Sequence, residues 1–438
     1  MADCTIAAIA LAGEFEVGFQ EAPAVYRATV QSLEKEGIRV LQTDIVMYDL
    51  ATMRQAAGFF SGKQFDAFLI CVATWSEDHH LLDLLNWFQK PVMLAAYPGM
   101  ETGSLCGVQQ IASVFRDIGF SGFSFVYDSP GSPAAAVKIR KWLQVVSAAN
   151  LLRHSRVGSI GNRCAGMTET AFDEFELLKK TGTRVVTIDE TELLEETETA
   201  GRQKDLISGL IADWKMRFPN NRCTDQALSE AAAYYLAQKR LIQRYDLCGI
   251  AIKCYTKYMG KICFGQALLA EEGIVASCEG DVNNVIMMKL LAELSGGHVN
   301  CTDILNPDPD GNTILFAHCG NTGFSMAEDP GGIELCPVRI MEQGVCARFT
   351  CRPGTVTAAD LVGHGGTLRM SVMTGEAVSC GMEFPGTPVK IRFRKPVLEI
   401  TQEIVEKGCG HHWMVTYGDL AEQLEAYCKL TGIGFIPL

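Results

Sequence analysis

The chain has 438 residues, too many for one hydrophobic core of ordinary size, and a prior of roughly 150 residues per domain suggests about three domains. Apolar residues make up 48% and charged residues 20%, a balance that excludes a disordered or fibrous protein. The net charge of −13 argues against nucleic acid or an anionic membrane as a partner, because those surfaces require a basic protein face. Small molecules remain as the expected ligands.

The 17 cysteines are scattered through apolar runs, and no CxxC pair occurs. Their odd number, in a chain of this size, predicts buried free thiols rather than disulfides or a structural zinc ribbon. The apolar stretch at residues 5–12 is short and has no basic segment ahead of it, so we expect neither a secretion signal nor a membrane span. Together these features predict a cytoplasmic protein.

Short apolar runs alternate with helical patterns over the first 150 residues. Such alternation, with nearly continuous hydrophobic strands, predicts a parallel sheet covered on both faces, a flavodoxin- or Rossmann-like α/β domain at residues 1–153. The predicted strands are Thr5–Leu11, Arg39–Ile45, Asp66–Val72, Pro91–Ala96 and Phe123–Tyr127. The predicted helices between them are Ala22–Glu36, Leu50–Ser61, Asp78–Gln89 and Gly107–Ile118.

The pattern restarts near Ser155 and predicts a second α/β domain of the same kind at residues 154–297. Its predicted strands are Arg156–Ile160, Arg184–Ile188 and Gly249–Cys254. Its predicted helices are Glu169–Thr181, Glu190–Thr199, Thr224–Tyr245, with Thr224 or Asp225 as the N-cap, and Val285–Leu294.

After residue 298 short β-type runs are separated by Gly, Pro and Asp turns, which predicts a β-rich, barrel-like C-terminal domain at residues 298–438. The predicted strands are Thr313–His318, Val338–Glu342, Val345–Cys351, Thr367–Thr374 and Val389–Arg394. A last helix, Leu420–Leu430, has Asp419 as a suitable N-cap. The expected fold class is therefore α/β, with two flavodoxin- or Rossmann-like domains followed by a β-rich domain.

Two carboxylates, Glu279 and Asp281, precede the predicted helix Val285–Leu294. Helix capping explains Asp281, because an acid at that position accepts hydrogen bonds from free backbone amides and complements the helix dipole. Capping does not explain Glu279. We therefore take Glu279 as a candidate functional carboxylate.

Further candidates are Asp303, the strand-end His318 and the pair His411-His412. Each has a structural alternative, as a turn acid, a packed strand-end imidazole or imidazoles in a loop. Adjacent histidines of an extended backbone point to opposite sides, so we expect at most one of the pair to face a given site. An oxygen-rich set with some nitrogen suits Mn²⁺, Mg²⁺ or Co²⁺ better than thiolate-bound zinc.

At these residues the sequence resembles the L-fucose isomerase and L-arabinose isomerase superfamily. The matching elements are Glu279-Gly280-Asp281 before a helix, an acidic residue further on at Asp303, and His411-His412 before the final helix. Their order agrees, as does the three-domain plan, so the resemblance covers essentially the whole chain.

The resemblance implies that Glu279 and Asp303 bind a divalent metal, usually Mn²⁺, and share the acid–base work, with the roles of base and acid left open. It makes His412 a ligand in preference to His411, and His318 is placed like the histidine that completes the shell in arabinose-type members. Fucose-type members have Asp at the position of Asp303 and arabinose-type members have Glu, so the chain mixes traits of both branches. The implied reaction interconverts an open-chain aldose and a ketose through a cis-enediol.

The resemblance also implies a homo-oligomer, a trimer or hexamer, in which the first α/β domain of one subunit covers the site of its neighbour. Residues such as Glu14, Trp75 and Ser104 would then reach a neighbouring substrate, although each also has a structural interpretation. The sugar stays open between a pentose, a 6-deoxyhexose and an anionic hexose such as sulfoquinovose. Two other functions remain as alternatives: another enolate-forming sugar enzyme, either an epimerase or an aldolase, and a non-catalytic sugar-binding protein. The order of Glu279, Asp303 and His412 favours the isomerase.

Overall fold

The computed structural model describes residues 4–438, and their contacts divide the chain into two units. The first unit comprises the residues up to Asn150 together with Gln423–Gly432, and the second comprises Leu151–Glu422 and Ile433–Leu438. The predicted boundary between residues 297 and 298 lies inside the second unit. No helix among the described residues is both long and apolar enough to cross a bilayer.

The first unit is a parallel α/β layer whose five strands are arranged in the order β2-β1-β3-β4-β5. The strands are β1 (Thr5–Leu11), β2 (Arg39–Met47), β3 (Ala67–Val72), β4 (Val92–Ala96) and β5 (Phe123–Tyr127). The helices are α1 (Ala22–Lys35), α2 (Leu50–Phe60), α3 (His79–Phe88), α4 (Ser104–Asp117) and α5 (Pro133–Arg153).

Alternate residues of the strands in the first unit enter two separate cores, because successive side chains of a strand point to opposite faces. Ile9 and Ile70 pack with α2, α3 and α4, whereas Ala8 and Leu69 pack with α1 and α5. The predicted strands and the four predicted helices are confirmed, with ends displaced by a few residues. Helix α5 was not predicted.

The second unit begins with a parallel sheet of four strands in the order β10-β9-β6-β7. The strands of this region are β6 (Arg156–Ile160), β7 (Arg184–Ile188), β8 (Asn220–Asn221), β9 (Gly249–Ile252) and β10 (Val275–Ser277). The helices are α6 (Glu174–Thr181), α7 (Glu190–Gly201), α8 (Lys204–Arg217), α9 (Asp225–Tyr245), α10 (Cys263–Glu271) and α11 (Val282–Ser295). The Rossmann-like character predicted for this region is confirmed.

The predicted helix Glu169–Thr181 is wrong in its first half. Helix α6 begins only at Glu174, because the Asp173 side chain caps it by accepting hydrogen bonds from the backbone N–H groups of Phe175 and Glu176, both at 3.0 Å. Thr168–Thr170 instead forms a short 3₁₀ helix, and Glu169 lies in it. Helix α8 was not predicted. The N-cap of α9 is Thr224, one of the two residues predicted for this position.

The remainder of the second unit is rich in β-structure. Its strands are β11 (Asn300–Asp308), β12 (Thr313–Ala317), β13 (Glu334–Val338), β14 (Gln343–Arg348), β15 (Gly354–Val362), β16 (Arg369–Val378), β17 (Val389–Arg392), β18 (His412–Tyr417) and β19 (Gly434–Pro437). Helix α12 (Val397–Glu406) lies in this part, whereas α13 (Ala421–Thr431) lies mostly in the segment that belongs to the first unit. A seven-stranded sheet has the order β15-β18-β11-β12-β17-β16-β19, and a smaller one has the order β14-β13-β8.

The large sheet is antiparallel except for the parallel pair β16–β19, so it is mixed rather than wholly antiparallel. The predicted strand Val338–Glu342 is wrong. The preceding segment forms β13, and residues 339–342 form the turn that joins it to β14, with Glu342 in the left-handed region at φ 47°. The apolar Ile340 and Met341 resembled strand residues, but both are exposed on this turn. Strands β11, β15 and β18 were not predicted.

Candidate active site

Glu279 lies just beyond β10, at the carboxyl edge of the four-stranded parallel sheet, where open α/β sheets bind their ligands. It adopts a left-handed backbone conformation, φ 61°, which is rare for a residue with a side chain and is found preferentially at functional sites. Gly280 follows in the same region at φ 76°, and a Cβ atom there would lie 2.1 Å from the Asn162 carbonyl oxygen. This tight turn directs the Glu279 side chain toward the β-rich region.

The Glu279 carboxylate reaches both histidines of the pair. Its Oε2 lies 3.3 Å from His411 Nε2 and 3.4 Å from His412 Nε2. The Glu279 backbone N–H donates to Cys254 Sγ at 3.3 Å, which anchors the turn to the end of β9. Glu279 is 9% exposed and His412 is 1% exposed, so the pair is nearly sealed from water.

The expectation that only one histidine faces the site is wrong. The His411 and His412 rings lie with centroids 4.0 Å apart and planes at 33°, on the same side of the chain. Alternation applies within a strand, but β18 begins only at His412, and His411 occupies a bend before it. Both imidazoles therefore contact Glu279.

Asp281 has two roles, of which the sequence indicated one. Its Oδ1 accepts a hydrogen bond from the Asn284 backbone N–H at 3.1 Å, and this is the predicted N-cap of α11. Its Oδ2 lies 3.0 Å from His412 Nδ1. A carboxylate on Nδ1 holds the ring in place and leaves Nε2 free to act as a ligand, which is a common arrangement behind metal-binding histidines.

Sheet register brings Asp303 to His412. Asp303 in β11 lies directly opposite His412 in β18 and opposite Ala317 in β12. Residues directly opposite in antiparallel strands share a face of the sheet, so Asp303 and His412 converge on the same side. His318 follows Ala317, and its Nε2 lies 3.9 Å from Asp303 Oδ2.

The donor set fits a divalent cation. Glu279, His318 and His412 offer ligand atoms within 4.8 Å of one another, and Asp303, His411 and His412 form a second such group. His412 Nε2 and Asp303 Oδ1 are buried and have no hydrogen-bond partner, although buried polar atoms are normally satisfied. Imidazole nitrogens with carboxylate oxygens suit Mn²⁺ and its neighbours. The four predicted ligands thus fall into two groups that share His412.

Charge at the site is arranged to stabilise a cation. Burial raises the pKa of Glu279, but the hydrogen bond with His411 and the adjacent His412 imidazole outweigh it and hold the pKa well below its usual value. Burial lowers the pKa of His412, yet Asp281 and Glu279 raise it well above its usual value. Glu279 is therefore ionised at neutral pH, as both a general base and a ligand require. The negative charges of Asp281 and Glu279, which favour a proton on His412, also favour a metal cation beside it.

Two further acids at the site were not identified from the sequence. Glu169 Oε2 lies 2.7 Å from His411 Nδ1, and its Oε1 accepts a hydrogen bond from the His411 backbone N–H at 3.3 Å. Glu169 raises the pKa of His411 to about 9, with Glu279 adding to the effect. Asp360 in β15 is fully buried, and its Oδ2 accepts a hydrogen bond from the Gly410 backbone N–H at 2.7 Å. The sequence carried no signal for either, because Glu169 was expected within a helix and β15 was not expected.

Replacing Asp360 by asparagine is expected to weaken the pH dependence of stability of the metal-free protein. Burial raises the pKa of Asp360 from 3.8 to about 7, with Asp281 and Glu169 adding to the shift. The folded protein thus retains a proton that the unfolded chain loses, and the free energy of unfolding falls as the pH rises from about 4 through 7, by up to about 4 kcal/mol. Asparagine still accepts from Gly410 but cannot ionise.

Urea unfolding of both proteins at pH 5 and pH 8 measures this effect. We expect the variant to lose much less stability than the wild type between the two pH values. Equal losses in the two proteins would show that the Asp360 carboxyl does not titrate in this range.

The site opens into a cavity of about 100 Å³, lined by Glu279, Asp303 and His318 among others. This volume holds a few water molecules or one end of a small sugar.

The residues of the first unit that were expected to reach a neighbouring substrate have other surroundings within this chain. The Ser104 hydroxyl is buried between the Val72 carbonyl and the Tyr97 N–H, a structural role. Trp75 donates from Nε1 to Gln110 at 2.9 Å. Glu14 is exposed.

Comparison with known proteins identifies relatives of this chain. Residues 304–434 match the family of L-arabinose isomerase C-terminal domains. A sulfoquinovose isomerase of Priestia aryabhattai is 24% identical over 389 residues, which cover 86% of this chain and 86% of that protein. A sulfoquinovose isomerase of Clostridium sp. (strain MSTE9) is 25% identical over 338 residues, 76% of this chain and 75% of that protein.

An L-arabinose isomerase of Actinobacillus succinogenes is 24% identical over 325 residues, 70% of this chain and 65% of that protein. The relatives indicate that the chain is an enzyme, an aldose–ketose isomerase, and so confirm the reaction class predicted from the sequence. They support the arabinose-isomerase part of the expected resemblance, and the L-fucose isomerase part stays a prediction.

Proposed function

We propose that this enzyme is a metal-dependent isomerase that acts on an open-chain sugar through a cis-enediol. The observation that carries the proposal is the buried, unpartnered Nε2 of His412, which lies 3.4 Å from the Glu279 carboxylate. That nitrogen is oriented by Asp281 from the far side of the ring. An imidazole fixed in this way, beside an ionised carboxylate, matches a site for a cation and a base together.

His412, Glu279, Asp303 and His318 would hold the metal, with Mn²⁺ as the expected ion and Mg²⁺ or Co²⁺ as alternatives. A bound divalent cation would supply Lewis-acid polarisation of the adjacent carbonyl and hydroxyl oxygens of the sugar, which would acidify the C–H bond of the hydroxyl-bearing carbon next to the carbonyl. The shared position of His412 in both ligand groups makes it the central ligand of this set.

The protein's own carboxylates move the proton. One of Glu279 and Asp303 removes the proton from C2, the carbon alpha to the aldehyde. The electron pair of that C–H bond forms the C1=C2 double bond, while the carbonyl π pair moves onto O1, which is protonated to give the enediol. The O2–H bond then breaks, its electrons form the C2 carbonyl, and the C1=C2 pair takes the proton back at C1, giving a ketose of unchanged composition. Glu279 is ionised at neutral pH because its histidine neighbours depress its pKa, so it can accept the proton without a prior ionisation step.

Sulfoquinovose is the first substrate to test. The sulfoquinovose isomerase of Priestia aryabhattai matches 86% of this chain, whereas the L-arabinose isomerase of Actinobacillus succinogenes matches 70%. The three-domain division, and assembly into a homo-oligomer in which a neighbour's first domain covers the site, remain part of the proposal. Both rest on the resemblance described above.

Deuterium incorporation provides the test. Protein loaded with Mn²⁺ is incubated in D₂O with sulfoquinovose, L-arabinose, L-fucose and D-glucose, and the products are followed by NMR. We expect one aldose to give a ketose of the same carbon number that carries solvent deuterium at C1. An epimeric aldose would indicate an epimerase, a shortened product would indicate an aldolase, and binding without turnover would indicate a sugar-binding protein. Any of these three results would overturn the proposal.

A further inference from the structure

The cavity beside Glu279 has a second, chemically different wall. Arg339 and Ile340, from the turn between β13 and β14, line it together with Phe384, from the loop between β16 and β17. Glu279 and Asp303 lie in the same cavity. The cavity thus combines a carboxylate-rich wall with a wall formed by one arginine and apolar side chains.

Arg339 has no carboxylate partner among residues 4–438. Its neighbours on the same small sheet are different, because Arg348 and Arg222 both pair with Glu334, at 3.0 Å and 2.5 Å. In a protein with a net charge of −13, acidic partners are plentiful. A guanidinium left unpaired at the edge of a cavity is therefore available to a ligand.

Phe384 positions this guanidinium. The central carbon of Arg339 lies over the Phe384 ring, 4.7 Å from its centroid, a distance at which a cation is attracted to the ring face. Stacking on the ring restricts the side chain while all its N–H donors stay free, so less freedom is lost when a ligand binds. The arrangement is one of a positioned cation rather than a freely moving surface arginine.

The charge of the cavity determines what this cation can recognise. Glu279 and Asp303 repel an anionic sugar, and a neutral sugar needs no guanidinium. A planar guanidinium forms two parallel hydrogen bonds with the oxygens of a sulfonate or a phosphate. An anionic group bound to Arg339 would place the rest of the sugar along the cavity toward Glu279.

We propose that Arg339 is the residue that selects anionic sugars, by binding a sulfonate or phosphate group at the end of the substrate remote from the reacting carbons. This inference rests on the proposed function, and it adds the substrate class. The two sources of the anion, a sulfonated and a phosphorylated sugar, share one recognition chemistry and are separated by experiment.

The kinetic test compares Arg339→Met, Arg339→Lys and the wild type, each as full-length, metal-loaded protein. The substrates are sulfoquinovose, glucose 6-phosphate and 6-deoxyglucose, of which the last has no anionic group. We expect Arg339→Met to raise KM for the preferred anionic sugar by about 10- to 100-fold, with kcat nearly unchanged, because a hydrogen-bonded charge contact is lost. The lysine variant keeps the charge without the planar fork and should lie between the two. Kinetics with 6-deoxyglucose should be unaffected.

Arg352→Met is the matched control. Arg352 is also exposed and also lies over an aromatic ring, that of Tyr417 at 3.7 Å, but it does not line the cavity. Its variant should keep the wild-type KM for every sugar. An unchanged KM for the anionic sugars in Arg339→Met, or an equal loss with 6-deoxyglucose, would overturn the inference. The wild-type preference between the sulfonated and the phosphorylated sugar identifies the anion.

A binding measurement separates failure of this inference from failure of the proposed function. The probe is the sugar alcohol made by reducing sulfoquinovose, which cannot be isomerised, and calorimetry measures its affinity for the wild type and the methionine variants. We expect weaker binding by Arg339→Met alone. If the wild type isomerises no sugar, the proposed function fails, while this affinity difference still decides the role of Arg339. Equal affinities for all three proteins would exclude that role.

Discussion

Replacing Glu279 by glutamine is expected to lower kcat for aldose isomerisation by at least about 100-fold, and by up to about 10⁴-fold. Glutamine has nearly the same size, so it can occupy the same turn, but it accepts no proton at neutral pH and binds a hard divalent cation weakly. The carboxylate it replaces lies within 3.3–3.4 Å of the Nε2 atoms of both His411 and His412. Steady-state kinetics on the sugar identified in D₂O measures the loss.

Glu169→Gln is the matched control for this variant. Glu169 carries the same type of side chain and contacts the same His411 ring, but from the Nδ1 side, and it does not line the cavity. We expect its kcat to fall by less than about tenfold, since it acts on the reaction only through His411. Thermal unfolding should show both variants folded. Retention of more than a tenth of wild-type kcat by Glu279→Gln would remove Glu279 from the reaction.

The second large effect is expected from loss of the metal and of its central ligand. Chelation should abolish isomerisation, and added Mn²⁺ should restore it. Replacing His412 by asparagine should weaken Mn²⁺ binding by at least about 100-fold, because no other residue of the site belongs to both ligand groups. Equilibrium dialysis measures the Mn²⁺ affinity directly, independently of turnover.

Asp281→Asn tests how the ring of His412 is held. Asparagine is as good an N-cap as aspartate, so α11 should be unaffected, but the negative charge 3.0 Å from His412 Nδ1 is lost. We expect Mn²⁺ affinity to fall by about 10- to 100-fold, less than in the His412 variant.

Two results would contradict a metal site at these residues. One is full activity after exhaustive chelation, and the other is wild-type Mn²⁺ affinity in the His412 variant.

Local pattern identified most elements of the α/β half of the molecule, although it missed helices α5 and α8. Strands such as Thr5–Leu11 and Arg156–Ile160 were predicted with their observed ends, because strands buried on both faces are continuously apolar and their bounds are visible in sequence. The same holds for the acid that caps α11, since capping depends on residues only a few positions apart. Glu279 stood out because nothing local explained it.

The β-rich half was less accessible, since its strands are partly polar and are stabilised by distant partners. Strand β11 contains Asn300 and Asp303 and ends in the turn-type sequence Asn306-Pro307-Asp308, and β18 begins with a histidine. The two strands pair with each other, which joins residues more than a hundred positions apart, and β18 also pairs with β15, far from it in the sequence. Sequence windows contain no information on such partners.

The sequence by itself determined the fold class, the types of residue available for the chemistry and the position of Glu279 at the start of a helix. Only the tertiary structure decided which of them meet. The β11–β18 register sets Asp303 opposite His412, and the bend at His411 turns both imidazoles to Glu279. Asp281 and Glu169 acquire histidine partners, whereas Arg339 stacks on a ring and has no carboxylate partner among residues 4–438. The physical reason is that periodicity and capping act over a few residues, whereas ligand geometry and charge environment depend on through-space contacts between segments far apart in the chain.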